Sequence, residues 1–96
     1  RYRWPEKAAH REGTGMTMNA YVLVQTEVGK AAGVAREIGA IDGVVAADDV
    51  TGPYDVIVRA EARTVDELGQ LVVSHIQRID GITRTVTCPI VNLSAD

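Results

Sequence analysis

From Ala20 onward the hydrophobic positions follow two spacings in turn. Ala20 to Thr26 is a Val-rich run opening on Tyr21 and predicts a first strand. Within Lys30 to Ala40, apolar residues fall at Ala31, Val34, Ala35 and Ile38, with Ile41 just beyond. That is the i, i+3, i+4, i+7 stripe of a helix buried on one face. Val44 to Val50 predicts a second strand, Thr51-Gly52-Pro53 supplies turn chemistry, and Tyr54 to Ala62 predicts a third strand. Thr64 followed by Glu67 carries the signature of an N-cap and capping box. Val65, Leu68, Val72, Ile76 and Ile79 give the stripe of a second helix. Gly43 and Gly81 close the two helical segments, and Ile82 to Val91 predicts the last strand. Ile41-Asp42-Gly43-Val44-Val45 returns 38 positions later as Ile79-Asp80-Gly81-Ile82-Thr83, so one strand, helix, strand unit is used twice.

The order βαββαβ with an internal echo predicts an α+β, ferredoxin-like sandwich: a four-stranded antiparallel sheet with two helices on one face. Strands 1 and 3 are expected in the centre and 2 and 4 at the edges. Pro89, late in strand 4, suits an edge because an edge tolerates a missing backbone donor. Val22-Leu23-Val24 and Val56-Ile57-Val58 are apolar at consecutive positions, as in strands covered on both faces. Two helices cover only one of those faces. A large exposed apolar patch is rare on a monomer, so the second face predicts a homodimer joined sheet to sheet.

Composition narrows the class. With 96 residues, 46% of them hydrophobic, no Phe and one Trp, the chain has the size of one domain with an aliphatic core. Such a small domain buries only about 60 to 65% of its unfolded surface. Net charge is −3, with four basic and two acidic residues in 1–15 against six basic and eleven acidic in 16–96. An acidic body argues against direct nucleic-acid binding. One cysteine, Cys88, rules out an internal disulfide, and a reducing cytoplasm is the expected compartment. No apolar run is long enough to cross a membrane as a helix. Residues 1–18 lack either spacing and read as a disordered arm or a leftover foreign to the natural protein. Residues 19–96 are then the domain.

Candidate chemistry concentrates in Thr51-Gly52-Pro53-Tyr54-Asp55. A glycine admits close approach, a tyrosine gives a flat wall with a polar tip, and a carboxylate accepts from an ammonium group. The same residues also fit a plain hairpin turn whose Asp caps its own backbone. His75 borders the buried stripe of helix 2 as an interface residue or, less favoured, a general base. His10 lies in the arm, so no His/Cys spacing makes a metal site. Cys88 is expected to face the helices as a small core residue. Asp48-Asp49 reads as solvated edge charge pointing to opposite faces. Thr83, Thr85 and Thr87 share one face of strand 4 through ordinary strand propensity, or line a polar pocket between subunits. Gly29-Lys30 lacks the rest of a phosphate-binding loop. No cofactor is expected.

Together, Ile41-Asp42-Gly43-Val44, Val50-Thr51-Gly52-Pro53-Tyr54-Asp55, Leu68 to Ile76, Gly81-Ile82 and the Thr-rich last strand resemble the effector-binding (RAM) domain of the Lrp/AsnC transcriptional regulators. The resemblance spans Ala20 to Val91. It implies dimers through the sheets, rings of eight or ten subunits, and an amino acid bound where dimers meet. It also implies effector contacts from Thr51, Gly52, Tyr54 and Asp55 and, across the interface, from Gln77 and Thr83. The family's helix-turn-helix is absent ahead of strand 1, so the chain resembles the stand-alone members, which sense amino acids by themselves or co-assemble with full-length relatives. The expected function is amino-acid sensing in transcriptional regulation without enzyme activity. Alternatives are a dimeric α+β-barrel enzyme using His75, or an effector-independent adaptor.

Overall fold

The computed structural model describes residues 17–91, so the arm, with His10, lies outside the described residues up to position 16. Four strands, β1 (Met18–Thr26), β2 (Val44–Asp49), β3 (Val56–Ala62) and β4 (Ile82–Pro89), form one sheet in the order β2-β3-β1-β4. Every neighbouring pair is antiparallel. Helix α1 (Ala31–Gly39) connects β1 to β2, and α2 (Val65–Gln70) continues as a π-helical segment over Leu71–Ile76 before β4. The expected central and edge positions are the observed ones.

Burial alternates along the central strands. Ala20, Val22, Val24, Val56, Val58 and Ala60 are fully buried beneath the helices, against Val34, Ala35, Ile38, Leu68, Leu71, Val72 and Ile76. The opposite side of the sheet is only half covered. Leu23 and Ile57 stand opposite each other in the β1/β3 register, and Val86 stands opposite Leu23 across β1/β4; all three are half-buried. Nearby, Tyr21 accepts a hydrogen bond from the Arg59 guanidinium (3.1 Å), which also lies over its ring at 5.2 Å. The consecutive Val-Leu-Val and Val-Ile-Val positions therefore serve a two-sided role of which one chain satisfies one side.

Several local expectations need correction. Tyr54 and Asp55 precede β3 instead of opening it, because Asp55 is committed to contacts with β1. Strand β1 starts at Met18, inside the stretch set aside as arm. Val65 lies outside the buried stripe, 63% exposed in the first turn of α2, where Leu68 takes the core position. Cys88 is exposed. Its partner in β1 is Tyr21, whereas Thr85 and Thr87 pair with the buried Val24 and Val22. The face of strand 4 that meets the helices is thus the threonine face, the reverse of what was expected for Cys88. Adjacent strand residues point to opposite faces, so a one-residue difference in register inverts the whole strand.

The α2 start is as the sequence predicted in its main bond: Thr64 Oγ1 accepts from the Glu67 N–H at 3.0 Å. Glu67 returns its carboxylate to the Arg63 N–H, one residue before the cap. Beyond Gln70 the helix widens, and the Gln77 N–H donates to the Val72 carbonyl five residues back at 2.8 Å. Nothing among residues 71–76 announces this in sequence. The extra residue per turn keeps Leu71, Val72 and Ile76 all in the core and sets Gln77 at the helix end.

The echoed glycines do the same physical job. Gly43 and Gly81 have φ of +99° and +102°, conformations that residues with a Cβ adopt at a cost of roughly 1 to 2 kcal/mol. Each also sits close to the other half of the molecule. A Cβ on Gly43 would lie 3.4 Å from the Glu61 carbonyl and Leu71 Cδ2, and on Gly81 3.3 Å from Lys30 Cβ. Gly43→Ala and Gly81→Ala should each lower stability by about 1 to 3 kcal/mol in urea unfolding. Gly33→Ala, inside α1 with open space at its Cβ, should raise it by up to about 1 kcal/mol.

Candidate functional site

One end of the sheet gathers four pieces of chain: the last residues of β1, the loop 50–55 between β2 and β3, the first residues of β4, and Gln77 at the end of the second helix. Antiparallel pairing dictates this, since β1 ends where β3 and β4 begin and where β2 ends.

Asp55 ties two of these pieces together. Its Oδ2 accepts from the Thr26 N–H at 2.8 Å, its own N–H donates to the Val24 carbonyl at 2.8 Å, and its carbonyl accepts from the Val50 N–H at 2.9 Å. The Asp therefore caps the end of a neighbouring strand instead of its own turn. Gln25 reinforces the tie by donating from Nε2 to the Pro53 carbonyl at 3.1 Å. On the other flank the Thr83 hydroxyl donates to the Gln25 carbonyl at 3.2 Å, and the Glu27 N–H donates to the Gly81 carbonyl at 2.8 Å. Gln77 Nε2 donates to Thr85 Oγ1 at 2.8 Å.

Of the six residues named from sequence, Asp55 and Thr83 are thus linked through consecutive residues of β1, and Gln77 joins through Thr85. Thr51 and Gly52 are exposed on the loop, with nothing within 4 Å of a Cβ at Gly52, and Tyr54 is half-buried. Gln77, Ile82, Thr83, Arg84 and Thr85 line an open pocket of about 290 Å³. The loop residues Thr51 to Asp55 do not line it, so within one chain the two halves of the site flank the end of β1 without meeting. Sequence reasoning missed Gln25 and Arg84, whereas Thr85 was already a candidate for a polar pocket. A polar Gln at the end of an otherwise apolar central strand was the available signal for the first.

A second, slightly larger hollow lies at the other end of the sheet. About 320 Å³ is lined by Asp42, Gly43, Glu61, Ala62, Glu67, Gln70, Leu71 and His75. His75 is exposed there, and none of the six residues contributes. Glu67 is already occupied: hydrogen bonds from the Arg63 backbone N–H and then its guanidinium hold the carboxyl below its usual range. Among the described residues no group of His, Cys, Asp and Glu could hold a metal ion. No helix among them is long and apolar enough to cross a membrane.

Comparison with known proteins agrees with this architecture. Residues 19–93 match the family described as the Lrp/AsnC ligand binding domain. An uncharacterized HTH-type transcriptional regulator of Pyrococcus furiosus, PF0250, is 33% identical over 54 residues, 56% of this chain and 36% of that protein. The chain thus spans about a third of that relative. The crystal structure of TTHA0845 from Thermus thermophilus superposes with a TM-score of 0.76 at 25% identity, covering 82% of this chain and 99% of the other. The transcriptional regulator NMB0573 of Neisseria meningitidis, solved as a complex with L-Met, shares the fold at a TM-score of 0.72 and 12% identity, covering 100% of this chain and 61% of the other.

Asp55→Ala should leave the part-buried Thr26 N–H without its acceptor and cost about 1 to 3 kcal/mol in urea unfolding. Asp55→Asn, which keeps an acceptor oxygen, should lose less than half as much.

Proposed function

Because this chain belongs to the Lrp/AsnC ligand-binding domain family, we propose that it binds an amino acid at the end of the sheet where loop 50–55, Gln77 and Thr83 gather, and that it regulates transcription through that binding. The observation that carries the reading is the fixed loop: Asp55 and Gln25 hold Thr51 to Tyr54 as a preset wall beside β1, so little ordering entropy opposes ligand capture. The wall and the Gln77 pocket lie on the two flanks of β1. A neighbouring copy that apposes the wall of one chain to the pocket of another completes the site. That geometry is what binding between dimers requires, and it links effector occupancy to assembly. The L-Met complex of NMB0573 supports an amino acid as the ligand class.

The assembly unit in this reading is a dimer joined through the half-covered sheet face around Leu23, Ile57 and Val86, with dimers closing into rings of eight or ten. Burying apolar surface at about 25 cal/mol per Å² favours this contact. Mixed assembly with full-length relatives uses the same faces. Among the described residues there is no helix-turn-helix, so the effect on transcription runs through a DNA-binding unit outside them, and the acidic body itself does not bind nucleic acid. The work is regulatory, carried out in the cytoplasm. Catalysis by His75 is the weaker reading, since this exposed side chain lines a separate hollow from the one at Gln77.

A melting-temperature screen of the twenty amino acids should find at least one that stabilises the protein by about 2.7 kcal/mol at 100 times its dissociation constant. For a domain of this size that is a rise on the order of 10 °C. No shift with any of them would refute effector binding. Leu23→Asp should reduce the particle mass seen by light scattering to that of a single chain. A wild-type protein that is already monomeric would remove the sheet-to-sheet dimer.

A further inference from the structure

The pocket at Gln77 has an unusual balance of polar groups. Arg84 lines it, and among the described residues its guanidinium makes no hydrogen bond and no ion pair. The other arginines beside the sheet are engaged: Arg59 with Tyr21, and Arg63 with Glu67. No acidic side chain lines this pocket. The Asp55 carboxylate, on the other flank of β1, is turned to the Thr26 N–H.

The remaining groups are mostly donors. Thr85 Oγ1 accepts from Gln77, which leaves its O–H to donate, and one amide hydrogen of Gln77 remains. Strand β4 is an edge, so the backbone N–H groups on its outer side have no ladder partner. Ile82, half-buried, is the only aliphatic hydrocarbon side chain in the lining. An aliphatic effector side chain placed here would meet polar walls and bury little apolar surface. A carboxylate would meet a planar fork of donors with matching geometry.

Resting on the amino-acid reading above, we propose that Arg84 holds the side-chain carboxylate of the effector, so that this site selects acidic amino acids, glutamate or aspartate, over aliphatic and amide ones. Gln77 and Thr85, locked to each other on the helix side of β4, orient the carboxylate at this strand edge. Arg84, which leaves the opposite face of the same strand beside Gln25, supplies the charge around that edge. The net charge of the whole chain is −3, so the attraction is local to the pocket. It weakens as salt rises, because a partly exposed pair is screened within about 8 to 10 Å.

Calorimetric titration of the intact protein with L-glutamate, L-glutamine and L-leucine tests this. Glutamate should bind about tenfold more tightly than either of the others. Arg84→Gln should weaken glutamate binding about tenfold and erase its advantage over glutamine, with Arg84→Lys restoring part of it as a charge without the fork. Leucine or glutamine binding as tightly as glutamate, or Arg84→Gln binding glutamate like the wild type, would overturn the proposal while leaving amino-acid sensing intact. Binding of none of the twenty amino acids would overturn both. Arg84 is exposed and its variants are expected to fold. Should Arg84→Gln not fold, the wild-type comparison of glutamate with glutamine decides alone.

Discussion

A four-stranded sheet has two faces, and two helices cover one of them. Nearly everything else in this protein depends on that geometry. Alternate residues of β1 and β3 disappear completely under α1 and α2, and those between them are left half-covered. The core is therefore a single layer of Val, Ile, Leu and Ala, without an aromatic ring. The side left over carries Leu23, Ile57 and Val86 at its centre with the Tyr21–Arg59 pair beside them. A small domain with half its sheet unsheltered has a standing physical reason to associate.

The same antiparallel order places the site. Loops that join strands at one end of the sheet are brought together whatever their sequence, and here they are then fastened by side chains. Asp55 and Gln25 act as ties from loop to strand, and Thr83 fastens the start of β4 to the same strand end. A carboxylate engaged in this way holds the loop in one shape against β1. The two copies of the Ile-Asp-Gly link build equivalent turns, both with a left-handed glycine. The halves diverge after those turns, into a tied loop on one side and a donor-rich pocket on the other.

Much of this was legible along the chain. The period of 3.6 marked both helices to within a few residues, and the consecutive apolar triplets marked the central strands. Pro89 marked an edge, and Thr64 with Glu67 marked a helix start. The misreadings have local causes. Cys88 and the threonines of β4 alternate with no strong hydrophobic contrast, so parity on that strand depended on pairing with β1. The π-helical turn after Gln70 has no residue code, since it arises from fitting Leu71, Val72 and Ile76 into one core. The partner of the Asp55 carboxylate, the Thr26 N–H, lies 29 positions away, where no local pattern records it.

The sequence by itself determined the order of elements, the two left-handed glycine turns, the aliphatic core and the family. These follow from spacing and from residue type, which act over a few positions. The tertiary structure alone decided which face of β4 meets the helices, that Asp55 is a tie, that Gln77 meets Thr85 at the start of β4, and that His75 lines a separate hollow with Asp42 and Glu61. The reason is common to all four: each depends on register between strands distant in the chain, and a shift of one residue there changes every neighbour a side chain has.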